Sequence, residues 1–131
     1  MLAGTKVGPA VLFFGCRNRA HDYIYEAELA AYLEASALTS LHVAFSRDTP
    51  NGGAKVYVQH HLEREGQAAL WPMLSAQGAH MYVCGDAKHM AKDVHRALLA
   101  IVQAGKGCTG SEAEAFVAEM HEAGRYQRDV W

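Results

Sequence analysis

Three short apolar runs constrain what this chain can fold into: Val11-Leu-Phe-Phe-Gly-Cys16, Leu41-His-Val-Ala-Phe45 and His80-Met-Tyr-Val-Cys84. Each is rich in β-branched or aromatic residues and is followed at once by small, polar or charged ones, so each reads as a buried strand. The stretches between them carry helical spacing instead. Asp22 to Ala35 sets Tyr25, Leu29, Tyr32 and Leu33 three, four and seven apart, with Asp22 suited to cap the start. Val56 to Glu65 and Gln67 to Gln77 read as two short helices parted by Gly66, with Pro72 in the first turns of the second. Lys88 to Ala104 places Met90, Val94, Ala97, Leu98, Ile101 and Val102 on one side, and Gly105 to Gly110 ends it. A last helix, Glu112 to Glu122 with Ser111 as its cap, leads to a terminal segment, Tyr126 to Trp131.

The order β-α-β-α-α-β-α-α-β predicts an α/β fold with a parallel, Rossmann-like sheet and helices on both faces. At 131 residues the chain has the size of one domain, residues 1–131. In such sheets ligands bind at the carboxyl ends of the strands. Those ends are Gly15-Cys16-Arg17, Ser46-Arg47-Asp48 and Cys84-Gly85-Asp86, so each run delivers small or charged groups.

Composition excludes several classes. A formal charge of -2 gives no basic excess for nucleic acid or an anionic membrane. The longest apolar run, Ala10 to Phe14, is far short of the ~20 residues of a membrane span. Three widely spaced cysteines, Cys16, Cys84 and Cys108, fit a reducing, cytoplasmic setting better than a disulfide framework. Despite eight histidines there is no CxxC and no HExxH, so no metal site is expected.

The strand ends suggest chemistry. Arg47 follows an apolar strand, and its planar guanidinium can fork onto a phosphate, with the Ser46 hydroxyl beside it. Lys55, Tyr57 and Gln59 alternate, which would aim a cation, an aromatic face and an amide one way if the segment is extended. An Arg after the second strand of a Rossmann-like sheet accommodates a 2'-phosphate, favouring NADP over NAD. Cys84 is followed by Gly85, which permits close approach to the backbone, and by Asp86, whose charge would repel a phosphate there. Solvated turns and a packed cysteine explain the same residues without a ligand.

Five ordered blocks give the pattern more specificity. Leu12-Phe-Phe-Gly-Cys-Arg17, Val43-Ala-Phe-Ser-Arg47, Lys55-Val-Tyr-Val-Gln-His60, Tyr82-Val-Cys-Gly-Asp-Ala-Lys88 with Met90-Ala-Lys-Asp-Val94, and Arg125-Tyr-Gln-Arg-Asp-Val-Trp131 together resemble the NADP(H)-binding domain of the diflavin reductases, within the ferredoxin-NADP reductase superfamily. The resemblance implies an NADPH-hemoprotein reductase type of oxidoreductase. In it NADPH passes hydride to FAD, and electrons go on through FMN to a heme or other acceptor protein. It implies a 2'-phosphate site of Ser46, Arg47 and Lys55, continued by Val56, Tyr57, Val58 and Gln59, with Asp93 as a further NADP contact. Cys84 and Asp129 would lie beside the nicotinamide, and Trp131 would be the aromatic that covers the flavin.

The family's domain opens with a strand and a loop of the form GPGTGIAP. Gly4-Thr5-Lys6-Val7-Gly8-Pro9 has no strand before it and no helix-forming stretch after it. Residues 1–10 therefore read as a loop leading into the second strand. The first strand, the Gly-rich loop and the FAD- and FMN-binding domains read as missing, so the chain resembles the C-terminal part of a larger flavoprotein, inactive alone. Two other functions compete: a truncated, non-catalytic nucleotide-binding or regulatory domain, and a small enzyme using Cys84 as nucleophile with Asp86 and His89 nearby.

Overall fold

Branched and aromatic side chains hold Val11–Cys16 extended as β1, and in the computed structural model it pairs in parallel with β2, Ser40–Phe45. The structure describes residues 8–46 and 56–131. It divides into two units, residues 1–61 and 62–131.

In the first unit β1 and β2 run in register from Val11↔Ser40 to Cys16↔Phe45. The connection between them holds two helices rather than one, α1 (Arg19–Asp22) and α2 (Glu26–Glu34). Asp22 thus closes a short helix instead of capping a long one, and Tyr25 occupies the N-cap of α2 without a side-chain hydrogen bond. Of the four apolar positions read from the spacing only Leu29 is buried, while Tyr25 and Tyr32 stay about half exposed (55% and 51%). A phenol tolerates water at its rim, so helical spacing of tyrosines does not force a buried face. Ala44 and Val58 complete the small core of this unit.

A helical run crosses the division: α3 (Val58–Glu65), a π-type turn (Gly66–Leu70) and α4 (Trp71–Ser75). The wide turn has two local causes. Pro72 has no N–H to continue the α-pattern. Gly66 meanwhile lies so close to Ile101 that a Cβ there would sit 2.8 Å from Cγ1. The Gln67 amide donates to the Ile101 carbonyl at 3.1 Å and secures the same contact.

In the second unit β3 (Met81–Gly85) pairs in parallel with β4 (Tyr126–Val130), connected by α5 (Met90–Lys106) and α6 (Gly110–Glu122). The apolar stripe of α5 is buried through Val94, Ala97, Leu98, Ile101 and Val102, against Ala113, Val117 and Met120 of α6. Gly107 stops α5 in the left-handed conformation, φ 67°. The cap of α6 is Thr109 rather than Ser111: its hydroxyl accepts from the Glu112 N–H at 3.2 Å, and the Glu112 carboxylate accepts in return from the Thr109 N–H. This reciprocal box starts the helix two residues earlier than the sequence spacing suggests. Thr109→Ala should cost about 1 kcal/mol, read as a lower urea midpoint at unchanged slope; no change would mean the box is not needed.

Parallel pairing and the mixed α/β order agree with the expected fold class. The described strands form two two-stranded sheets, β1-β2 and β3-β4, rather than one.

Candidate cofactor-binding site

Within the first unit, parallel pairing brings the carboxyl ends of β1 and β2 together. The Ser46 N–H donates to the Cys16 carbonyl at 2.9 Å, which sets Ser46 directly after the last residue pair. Arg47 and Lys55, expected to complete a phosphate site with Ser46, lie outside the described residues. Val56 is half-buried and Tyr57 exposed (41%). The Tyr57 N–H donates to His60 Nδ1 at 2.9 Å, and the two rings lie 5.8 Å apart.

An extended Lys55-Tyr57-Gln59 alternation is not what forms: α3 begins at Val58, so Gln59 sits in its first turn with its amide oxygen buried. The cause is Val58, whose Cγ1 lies 3.0 Å from where a Cβ on Gly15 would be. Gly15 leaves room for that side chain, and packing Val58 there turns the backbone into the helix.

The second unit holds Cys84, Asp129, Trp131 and Asp93. Cys84 and Asp129 are paired across the β3–β4 ladder, and both are exposed. One residue on, Gly85 adopts φ +148°, and a Cβ there would collide with the Met90 methyl group. The positive φ favours glycine here, while the Met90 side chain could move aside for a Cβ. Trp131 is anchored by its backbone on two sides: its N–H donates to the Gly85 carbonyl at 3.1 Å, and its carbonyl accepts from the Ala87 N–H at 2.9 Å. Its indole is left 75% exposed. Asp93 lies half-buried in the first turn of α5, with its carboxylate 3.4 Å from Arg96 Nη1.

Spacing did not reveal what Asp86 does. Its carboxylate accepts from the N–H groups of Lys88 (3.0 Å) and His89 (3.1 Å) and meets His89 Nδ1 at 3.0 Å, closing the turn that leads into α5. The Lys88 N–H, followed by the His89 contacts, holds the Asp86 carboxyl below its ordinary value. That contribution is present above the usual carboxylate range and is lost as acid protonates the group. An Asp two and three residues ahead of the N–H groups it accepts from was the available signal.

This occupation bears on the competing nucleophile reading. The Asp86–His89 pair is tied to the turn, and among the described residues the Cys84 thiol has no hydrogen-bond partner that could serve as a base. What surrounds Gly85 instead is an exposed thiol, an exposed carboxylate and an exposed indole at the carboxyl ends of parallel strands. That set fits a flat, weakly polar ring that can stack, touch sulfur and donate an amide N–H.

Known proteins resemble the chain in sequence. Residues 1–96 match the oxidoreductase NAD-binding domain family. The chain is 43% identical over 128 residues to NADPH--cytochrome P450 reductase of Bos taurus, covering 98% of the chain and 18% of the relative. The reductases of that name from Rattus norvegicus and Drosophila melanogaster are 44% and 41% identical over 128 residues, with the same coverage. The chain spans about a fifth of the length of these relatives, at 18%. Strand ends that gather a thiol, a carboxylate and an indole thus come with a matching sequence, and the chain belongs to the oxidoreductase NAD-binding domain family.

Proposed function

We propose that this chain is the NADPH-binding module of a diflavin reductase, residues 1–131 forming the C-terminal part of its NADP(H) domain. FAD- and FMN-binding domains are its partners, and a heme or other protein accepts the electrons. The observation that carries this reading is Trp131: its backbone is fixed next to the strand positions that follow the Cys84–Asp129 pair, and its indole is exposed.

Bound NADPH would supply a hydride to a flavin; the redox chemistry belongs to the cofactors and the positioning to the protein. Ser46, Arg47 and Lys55 bind the 2'-phosphate, with Val56, Tyr57, Val58 and Gln59 as the neighbouring segment and Asp93 as a further contact. Asp129 accepts a hydrogen bond from the nicotinamide amide, and Cys84 offers sulfur to its ring. The Trp131 indole would cover the flavin face and exclude water. Because both backbone groups of Trp131 are held, its indole can turn aside by side-chain rotation while β4 stays paired. Among the described residues no helix is long and apolar enough to cross a membrane.

Two measurements on the full chain test the proposal together. Calorimetric titration should show 2',5'-ADP binding at least ~10-fold tighter than 5'-AMP, the size of one charge-assisted hydrogen bond. NADP+ should also slow alkylation of Cys84 by iodoacetamide, followed by mass spectrometry of the peptide carrying it. Equal affinities with an unprotected Cys84 would overturn the reading.

A further inference from the structure

On α5, Lys92, His95, Arg96 and Leu99 stand at i, i+3, i+4 and i+7, a stripe along one side of the helix. Together with Arg128 of β4 they line a concavity of about 230 Å³. Four of the five lining side chains are basic and none is acidic, in a chain whose formal charge is -2. Among the described residues neither Lys92 nor Arg128 forms an ion pair, and Arg96 gives one N–H to Asp93 at 3.4 Å. The Arg128 guanidinium lies 5.8 Å from the centre of the Tyr126 ring. The Tyr126 hydroxyl meets His95 Nδ1 at 2.9 Å and the rings stack, so Nε2 is the imidazole nitrogen left to a ligand.

Fold stability does not account for this arrangement. Lys92 lies in the first turn of α5, where the positive end of the helix disfavours a cation, and only Asp93 offsets it. Like charges gathered around one concavity repel unless an anion sits among them. We propose that Lys92, His95, Arg96 and Arg128 form an oxyanion site that takes a phosphate dianion, free or as a phosphomonoester.

Volume and chemistry select that class. At about 230 Å³ the concavity is smaller than the ~300–1,000 Å³ of sites for drug-sized ligands. It admits one phosphate group and not a dinucleotide. Two guanidiniums and an ammonium match its oxygens, and no exposed aromatic face lines it for a base. Burial, followed by the Arg128 charge, holds the His95 pKa below its usual value, while Glu114 of α6 pulls the other way. On its own helix, Lys92, Asp93 and Arg96 lie within one turn of His95. A dianion among these groups favours the imidazolium, so binding raises the His95 pKa.

The test is a titration of the full chain with inorganic phosphate and with glycerol 3-phosphate, at fixed ionic strength, following the His95 ring proton by NMR. A saturable shift is expected, with the His95 titration midpoint moving upward. Tighter binding of one probe identifies free phosphate or an ester as the source. Lys92→Gln/Arg128→Gln should weaken binding at least ~5-fold, and Arg128→Gln alone in the same direction should the double variant not fold. The proposal is overturned if chloride reproduces the shift or if the Gln variants bind as well as the parent. It does not depend on the nucleotide reading, which 2',5'-ADP tests separately.

Discussion

Arg47→Glu is expected to weaken 2',5'-ADP binding by about 10²-fold and to leave 5'-AMP nearly unaffected. The asymmetry is the informative part. A guanidinium forked onto a 2'-phosphate makes two charge-assisted hydrogen bonds, each about 1.5–3 kcal/mol. Losing the pair corresponds to roughly two factors of ten or more at about 1.4 kcal/mol per factor, and the new carboxylate adds repulsion. 5'-AMP has no 2'-phosphate and meets neither effect. Ser46, the neighbour of Arg47 in sequence, is held to the end of β1 by its N–H. Titration calorimetry of the variant against both nucleotides decides the matter: equal losses would remove Arg47 from the 2'-phosphate site.

The strands and α5 were legible because each carries a pattern that only one structure satisfies. Val11–Cys16 is apolar throughout, and the α5 stripe from Val94 to Val102 repeats at helical spacing and is buried as expected. Cys84, Asp129 and Trp131 were also readable as one cluster, since parallel β3–β4 pairing puts Cys84 opposite Asp129 and carries Trp131 to Gly85.

What escaped was decided by contacts between distant residues. The helix read over Val56 to Glu65 forms as α3, but where it begins is set by Val58 packing on Gly15, a contact across 43 positions that no local window contains. The break between α1 and α2 left Tyr25 and Tyr32 in water, although their spacing matches a buried face. The basic concavity was half visible: Lys92, His95 and Arg96 share one side of a helix, but Arg128 joins them only through β4.

Leu98→Ala is expected to remove about 2–5 kcal/mol of stability, the range for emptying a well-packed leucine site. Leu98 is 1% exposed, and Val102, Ala113 and Met120 are as deeply enclosed. Helix and sheet fix the backbone around it, so collapse into the void is restricted and the upper half of that range is favoured. Alanine is the better helix former by only a few tenths of a kcal/mol, which cannot offset the loss. Against a total of about 5–15 kcal/mol for a typical domain, the urea midpoint should fall sharply at unchanged slope. A midpoint within experimental scatter of the parent would mean that α5 and α6 do not share one close-packed core.

The contact between Gly15 and Val58 reaches beyond the helix it starts. Ser46 is held to Cys16 and Val58 rests on Gly15, so the end of β2 and the start of α3 both lean on the last two residues of β1. Close packing transmits a change at either residue to both neighbours, so one strand terminus sets where another strand ends and where a helix begins.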